Sequence, residues 1–163
     1  MLQTGCRALL LSLVIGIFSL SAHAAKAPAF ILFDQAGSSI SLDSYRGSGL
    51  ILHFWGTWCP YCKKLQPGLE RLSRKYKNAG LKVLAVSIRE SEGANPEEVL
   101  KALNITFKTA VNGDKVAKMY GVVGTPSSYF ISRDGMLLWT THSADPWNKE
   151  FESKIRLILN LDQ

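Results

Sequence analysis

Apolar and polar positions alternate along the chain in patterns that predict strands and helices in turn. The apolar run at residues 50–55 has the length and composition of a buried strand, and the run at 81–88 has the same character. Between them, Leu65, Leu69 and Leu72 recur at helical spacing and predict an amphipathic helix. Because strands and helices alternate, the pattern predicts one α/β domain.

Two hairpins and three further helices complete the predicted order. Each hairpin pairs two apolar stretches around a turn-forming cluster: residues 30–33 with 39–42, and 128–132 with 136–141. We predict helices at 96–103 (capped by Asn95), 114–120 and 146–161. We also predict a short strand at 107–111 and a linker at 25–29. Three tryptophans are expected in the core: Trp55, Trp139 and Trp147.

Residues 1–24 differ in character from the rest of the chain. Arg7 is followed by an apolar stretch at 8–20 and by Ala-His-Ala at 22–24, which is the order of a secretory signal peptide with its cleavage site. The apolar stretch is short for a bilayer-spanning helix. We therefore predict a signal peptide at 1–24 and a periplasmic or otherwise exported domain at 25–163. The alternative is an uncleaved N-terminal membrane anchor, the only case in which membrane contact is expected.

Composition narrows the possible functions. The 163 residues suffice for one domain with a substantial core. The formal charge of +6 falls to +5 without residues 1–24, since Arg7 is the only charged residue there. The basic residues are scattered and not interleaved with aromatic ones, so they predict a solvated surface and no nucleic-acid partner.

A Cys-Pro-Tyr-Cys motif joins the first buried strand to the amphipathic helix. Cys59 would lie at the helix N-terminus, where free backbone N–H groups and the helix dipole stabilise a thiolate. Pro60 suits the first helical turn, and Cys62 follows three positions later on the same helix face. Lys63 and Lys64 add positive charge nearby. A dithiol at such a junction indicates a redox site.

The chain resembles the thioredoxin superfamily, and within it the exported TlpA/ResA/DsbE-like thiol–disulfide oxidoreductases. The motif Trp-Cys-Pro-Tyr-Cys and the Gly-Thr-Pro at 124–126 carry the resemblance, which covers essentially all of residues 25–163. It implies a thioredoxin-like α/β fold, with a central mixed sheet flanked by helices, an N-terminal β-hairpin and an inserted helix near 96–103.

The resemblance also implies roles for individual residues. Cys59 is expected to be the exposed attacking thiolate and Cys62 the buried resolving thiol. Pro126 is expected to be cis and to lie against the disulfide, with the backbone of Thr125 pairing with substrate. Three further residues are expected to shape the substrate-binding surface or the redox properties of the site: Trp58, which offers an apolar docking patch, Pro60 and Tyr61.

Two departures from the family pattern bear on proton transfer. Thioredoxin has a buried aspartate six residues before the attacking cysteine, where this chain has His53, and the group usually has a glutamate where this chain has Leu65. His53 is a candidate acid or base for Cys62, or else a strand histidine held by a backbone partner. Glu90 is a candidate replacement carboxylate, or else a solvated loop residue.

These observations favour a reductant of disulfides in exported substrate proteins, in cytochrome c maturation or in the maintenance of exported thiols. The resemblance implies a membrane thiol electron donor, and the chemistry needs no cofactor beyond the Cys59–Cys62 disulfide. A zinc site is not expected, because a structural site takes four ligands and the domain offers two cysteines with His53 and His142. Two alternatives stay open: an oxidant of the same fold that donates its disulfide, and a copper-binding or chaperone protein that uses the dithiol.

Overall fold

The computed structural model describes residues 25–161. Within them, eight strands and four α-helices follow one another in the order β1 (Ala25–Lys26), β2 (Ile31–Phe33), β3 (Ser39–Ser41), β4 (Gly49–Trp55), α1 (Pro60–Lys75), β5 (Leu81–Ser87), α2 (Pro96–Ala102), β6 (Lys108–Ala110), α3 (Asp114–Met119), β7 (Ser127–Ile131), β8 (Met136–Thr141) and α4 (Glu150–Ile158).

Six of the strands form one mixed sheet in the order β1-β8-β7-β4-β5-β6. β4 runs parallel to β5 and antiparallel to β7, and β5 runs parallel to β6. β2 and β3 pair with each other in a separate hairpin. This is a thioredoxin-like fold, so the predicted fold class is confirmed.

The central strand β4 is buried along its whole length, and its alternating side chains divide the core into two layers. Ile51 and Trp55 pack in a cluster with Cys62 of α1 and with residues of α4. Leu52 and Phe54 pack on the other side, against the N-terminal hairpin and α3. Side chains at odd-numbered positions of β4 therefore face the helix that carries the cysteines.

The predicted linker at 25–29 is wrong in part, because Ala25–Lys26 pairs antiparallel with β8 as the strand β1. A segment of two residues is too short to show a periodic pattern of apolar positions. This strand is defined only by its backbone pairing with β8. The signal peptide predicted at 1–24 lies outside the described residues. Within residues 25–161, none of the helices has both the length and the apolar character needed to cross a bilayer.

The last helix is shorter than predicted, and Trp147 is not a core residue. α4 begins at Glu150, because the preceding residues form turns in which Asp145 accepts from the N–H of Trp147. The Trp147 side chain is 70% exposed, and its ring packs against the Arg71 guanidinium, 4.6 Å from the ring centroid. The turn carries the indole out of the helical register that the sequence suggested.

Arg133, in the turn between β7 and β8, joins three chain segments. Its guanidinium donates to the carbonyl oxygens of Gly47 (2.7 Å), Ala79 (2.6 Å) and Leu159 (3.3 Å). We expect Arg133→Ala to lower the free energy of unfolding by about 2 kcal/mol, since three carbonyl groups lose a charged donor at once. Urea titration measures the change. Lys115→Ala is the control, with an expected change within about 0.5 kcal/mol, and an Arg133→Ala variant as stable as this control would contradict the assignment.

Candidate active site

The predicted dithiol lies at the N-terminus of α1, directly after the central strand. Cys59 is the N-cap residue, and its Sγ accepts a hydrogen bond from the backbone N–H of Cys62 at 3.1 Å. Pro60 occupies the first turn, where its missing N–H costs no hydrogen bond. The helix N-terminus therefore directs a backbone donor at the sulfur that the sequence identified as the nucleophile.

Cys59 and Cys62 form a disulfide, with an S–S distance of 2.14 Å and a Cα–Cα distance of 5.3 Å. Cys62 is fully buried, as predicted. The prediction that Cys59 is exposed is wrong for this form, because its side chain is only 2% accessible. The sulfur is turned toward the helix, where it is bonded to Cys62 and accepts that residue's N–H.

Glu90 fixes the loop that precedes Cys59. Its carboxylate accepts from the backbone N–H of Thr57 at 2.9 Å and from the Thr57 hydroxyl at 2.6 Å. Both carboxylate oxygens are thus engaged, and the residue is half-buried. The interpretation of Glu90 as a merely solvated loop carboxylate is wrong, whereas its acid or base role stays a prediction. Nothing in the sequence around Glu90 indicates its contact with Thr57, which lies 33 positions away.

Trp58 forms part of the outer surface beside the disulfide. Its side chain is 48% exposed, while its indole N–H donates to the carbonyl of Ile88 at 3.2 Å. Gly56 permits this placement, because a Cβ there would lie 2.4 Å from the indole nitrogen. Tyr61 is also exposed. The exposure suits a docking patch of the kind predicted for Trp58.

The loop before β7 contains the expected cis-proline. The Thr125–Pro126 peptide bond is cis, as predicted. Pro126 is buried, and the hydroxyl of Thr125 is buried with no hydrogen-bond partner in the described part of the chain. Val123, which the sequence analysis did not single out, is strongly exposed and lines a groove of about 340 Å³ together with Ile88. The groove begins at Ile88, whose carbonyl accepts from Trp58, and its lining also includes the charged residues Arg89, Asp114 and Lys118.

His53 is fully buried in the middle of β4, on the face that packs against α1. It lies opposite Ala85 and Ser128 in the sheet register, and its Nδ1 is 3.0 Å from the Ser128 hydroxyl. Its Nε2 has no partner among residues 25–161. Burial lowers the pKa of His53 to about 3, so the imidazole is neutral at physiological pH. The alternative of a backbone partner is wrong, because the partner is a serine side chain.

Gln66 is a second buried polar residue, and sequence reasoning missed it. It follows Cys62 by one helical turn and is inaccessible, and neither atom of its amide has a hydrogen-bond partner in the part of the chain described. A glutamine at a helix position facing the core is the only sign the sequence offers. Among residues 25–161, groups of three or more histidine, cysteine, aspartate or glutamate side chains arranged to hold a metal ion are absent.

The mixed sheet and the disulfide that caps α1 define a thioredoxin-like protein with a cysteine-pair centre. The family model described as AhpC/TSA family matches residues 24–140, and the chain belongs to this family.

Named proteins with similar sequences are thiol-disulfide oxidoreductases. A Bacillus thuringiensis subsp. konkukian (strain 97-27) protein named thiol-disulfide oxidoreductase ResA is 35% identical over 114 residues, covering 69% of this chain and 65% of that protein. The ResA protein of Geobacillus thermodenitrificans (strain NG80-2) is 36% identical over 110 residues, covering 67% of this chain and 63% of that protein. The match therefore spans a little under two thirds of these relatives.

One crystal structure matches over more of its own length. A Chlorobium tepidum protein assigned as thiol:disulfide interchange protein DsbE superposes with a TM-score of 0.76 at 30% sequence identity. The superposition covers 83% of this chain and 96% of that one.

Proposed function

We propose that this protein is an exported thiol–disulfide oxidoreductase of ResA/DsbE type that reduces disulfides in substrate proteins. The observation that carries the proposal is the Cys59–Cys62 disulfide at the N-terminus of α1, where the Cys62 N–H reaches the Cys59 sulfur. The names of the relatives support the same chemistry.

The reaction begins from the reduced dithiol. The Cys59 thiolate attacks one sulfur of the substrate disulfide, that S–S bond breaks, and the departing substrate thiolate takes up a proton. A mixed disulfide now joins Cys59 to the substrate. Cys62 loses its proton and attacks the Cys59 sulfur, which releases the second substrate thiol and leaves the internal disulfide. Two electrons have passed from the protein to the substrate.

Proton transfer at Cys62 is the step for which we propose a role for His53. The imidazole is neutral and faces the α1 side of the sheet, where Cys62 packs, and its Nε2 has no other partner in the described residues. Its Nε2 is therefore free to accept a hydrogen bond from the Cys62 thiol as that thiol gives up its proton, while a pKa of about 3 means that the imidazole does not keep the proton at neutral pH. For Glu90 we propose a positioning role through Thr57, in addition to the predicted acid or base role.

The exposed surface residues are proposed to bind the substrate. Trp58 and Tyr61 offer apolar contact, the backbone of Thr125 pairs with an extended substrate segment, and Pro60 and Pro126 shape the site beside the disulfide. The disulfide is the only redox group required, so no cofactor is proposed.

The cellular setting rests on the sequence. The signal-like pattern at 1–24 supports export to the periplasm or an equivalent compartment and a domain spanning 25–163. In an oxidising compartment a reductant must be re-reduced, so a membrane thiol donor is proposed as one partner and cysteine-containing proteins as the other. Cytochrome c maturation or the maintenance of exported thiols is the proposed setting.

The reduction potential of the Cys59–Cys62 pair tests the direction of electron flow. We expect a value near or below about −220 mV after equilibration with glutathione buffers, within the range of glutaredoxins and thioredoxin. A reductant of that potential also reduces insulin when a chemical thiol regenerates it, and Cys59→Ser is the inactive control. A value near about −120 mV, that of a strong oxidant, would overturn the proposal and indicate a disulfide donor.

A further inference from the structure

A basic cleft lies at the opposite end of α1 from the disulfide. It has a volume of about 700 Å³ and separates the end of α1 from the outer edge of β5. Its lining holds four basic side chains and no acidic one: Arg74, Lys77, Lys82 and Lys108. We call these four residues and the cleft between them the basic cleft.

Most of the positive charge in the basic cleft is uncompensated. Arg74 pairs with Glu70, at 2.6 Å between Nε and Oε1. Lys77, Lys82 and Lys108 are exposed, and none of them forms a salt bridge with any residue between 25 and 161. Lys82 and Lys108 lie on neighbouring strands and are therefore held close together. Three unpaired ammonium groups around one concavity attract an anionic ligand.

The basic cleft also contains an unpaired stretch of sheet edge. β6 pairs with Leu84, Ala85 and Val86 only, so residues 81–83 of β5 have no strand beside them on that side in the described structure. Apolar side chains of Leu81, Val83 and Phe107 contribute to the lining. Leu81 and Val83 are buried, whereas Lys82 between them is exposed. A sheet edge that lacks a neighbouring strand can accept an added one.

We propose that the basic cleft binds an extended acidic segment of a partner protein, which adds to β5 as an edge strand. Charge complementarity selects an acidic partner over a second copy of this chain, which carries a formal charge of +6 and would place lysines against lysines. The concave shape and the strand edge suit a polypeptide better than a flat membrane surface.

The position of the basic cleft leaves the disulfide free. Cys62 and Arg74 are twelve residues apart on one helix, which corresponds to about 18 Å along its axis. A partner held there by an acidic segment could present its own sulfur to Cys59 at a raised effective concentration. This consequence rests on the proposed function, whereas binding of the segment does not.

Fluorescence anisotropy with the full chain and a labelled peptide of alternating valine and glutamate tests the proposal. We expect Lys82→Glu/Lys108→Glu to weaken binding at least tenfold. The control Lys101→Glu/Lys115→Glu makes the same change in net charge outside the basic cleft and is expected to change the affinity less than twofold. If both double variants weaken binding equally, the proposal is overturned. It is also overturned if neither double variant weakens binding.

Two further measurements separate the alternatives. N-methylation of alternate residues removes backbone donors, so one of the two alternately methylated peptides should bind much more weakly; equal binding of both would exclude strand addition. Binding of anionic phospholipid vesicles in place of the peptide would identify a membrane contact and overturn the proposal. Both double variants should reduce insulin at the same rate as the unmodified protein. If neither the variants nor the unmodified protein reduces insulin, the result counts against the proposed function but not against binding in the basic cleft.

Discussion

Cys62→Ser is expected to hold substrate proteins in a stable mixed disulfide with Cys59, and Cys59→Ser is expected to abolish turnover completely. Cys59 carries the sulfur that receives the Cys62 N–H hydrogen bond at the helix N-terminus, so it is the better thiolate. Both cysteines are nearly inaccessible in the disulfide form, so the assignment of Cys59 as the attacking residue rests on its N-cap position, whereas Cys62 lies within the first turn of α1. Without Cys62, no other thiol in residues 25–163 can resolve the mixed disulfide.

The trapped complexes are detected on non-reducing gels after acid quenching and alkylation, and they must disappear on reduction. Cys6 lies in residues 1–24, so each variant is made in a Cys6→Ser background. The double variant Cys59→Ser/Cys62→Ser supplies the baseline. Trapping by Cys59→Ser instead of Cys62→Ser would show that the two cysteines have the opposite roles.

The strand–turn–helix that carries the disulfide could be predicted because its signals are local. The apolar run of β4, the break at Gly56 and the proline in the first helical turn all lie within a few residues of Cys59. Short-range periodicity and capping preferences decide such segments, and the structure follows them. The cis peptide bond at Pro126 was expected from family resemblance, since sequence physics only permits it.

The contacts that complete the site could not be predicted, because they join distant parts of the chain. Glu90 reaches Thr57 across 33 positions, and His53 meets Ser128 across 75. Nothing in the local pattern around either residue indicates its partner. The exposure of Trp147 was missed for a related reason: its turn follows from side-chain hydrogen bonds that interrupt an otherwise helical pattern.

The basic cleft shows the same limit. Lys82 and Lys108 look like scattered surface charge in the sequence, and the excess of basic residues predicted only a solvated surface. The parallel pairing of β5 and β6 brings the two lysines together, and the shortness of β6 leaves the neighbouring edge open. A charge cluster of this kind becomes visible only once the register of the strands is known.

Acidification from pH 8 to pH 5 is expected to destabilise the protein through His53. Burial lowers the pKa of this imidazole to about 3, while an unfolded chain titrates near the ordinary value of 6.5. Between these two values the unfolded state binds a proton that the folded state excludes, so stability falls as the pH falls. The slope is about 1.4 kcal/mol per pH unit, which amounts to about 2 kcal/mol at pH 5 relative to pH 8.

His53→Leu removes this proton, and its stability should change much less with pH over the same range. The free energy of unfolding of both proteins, measured by urea titration from pH 8 to pH 5, gives the difference between the two slopes. Glu70 contributes little in this window. Although burial raises the pKa of that carboxyl, hydrogen bonds from Thr106 and Arg74 outweigh it and hold the pKa below its usual value, so its contribution is lost only at lower pH.

Ser128→Ala separates the titration of His53 from the loss of its hydrogen bond. This variant keeps the imidazole buried and removes only the hydroxyl that contacts Nδ1, so it should be less stable at every pH yet keep the slope of the unmodified protein. If the curves of the unmodified protein and His53→Leu are parallel, His53 binds its proton equally well in the folded and unfolded states. Its pKa would then be close to the ordinary value, which would contradict the exclusion of the proton by burial.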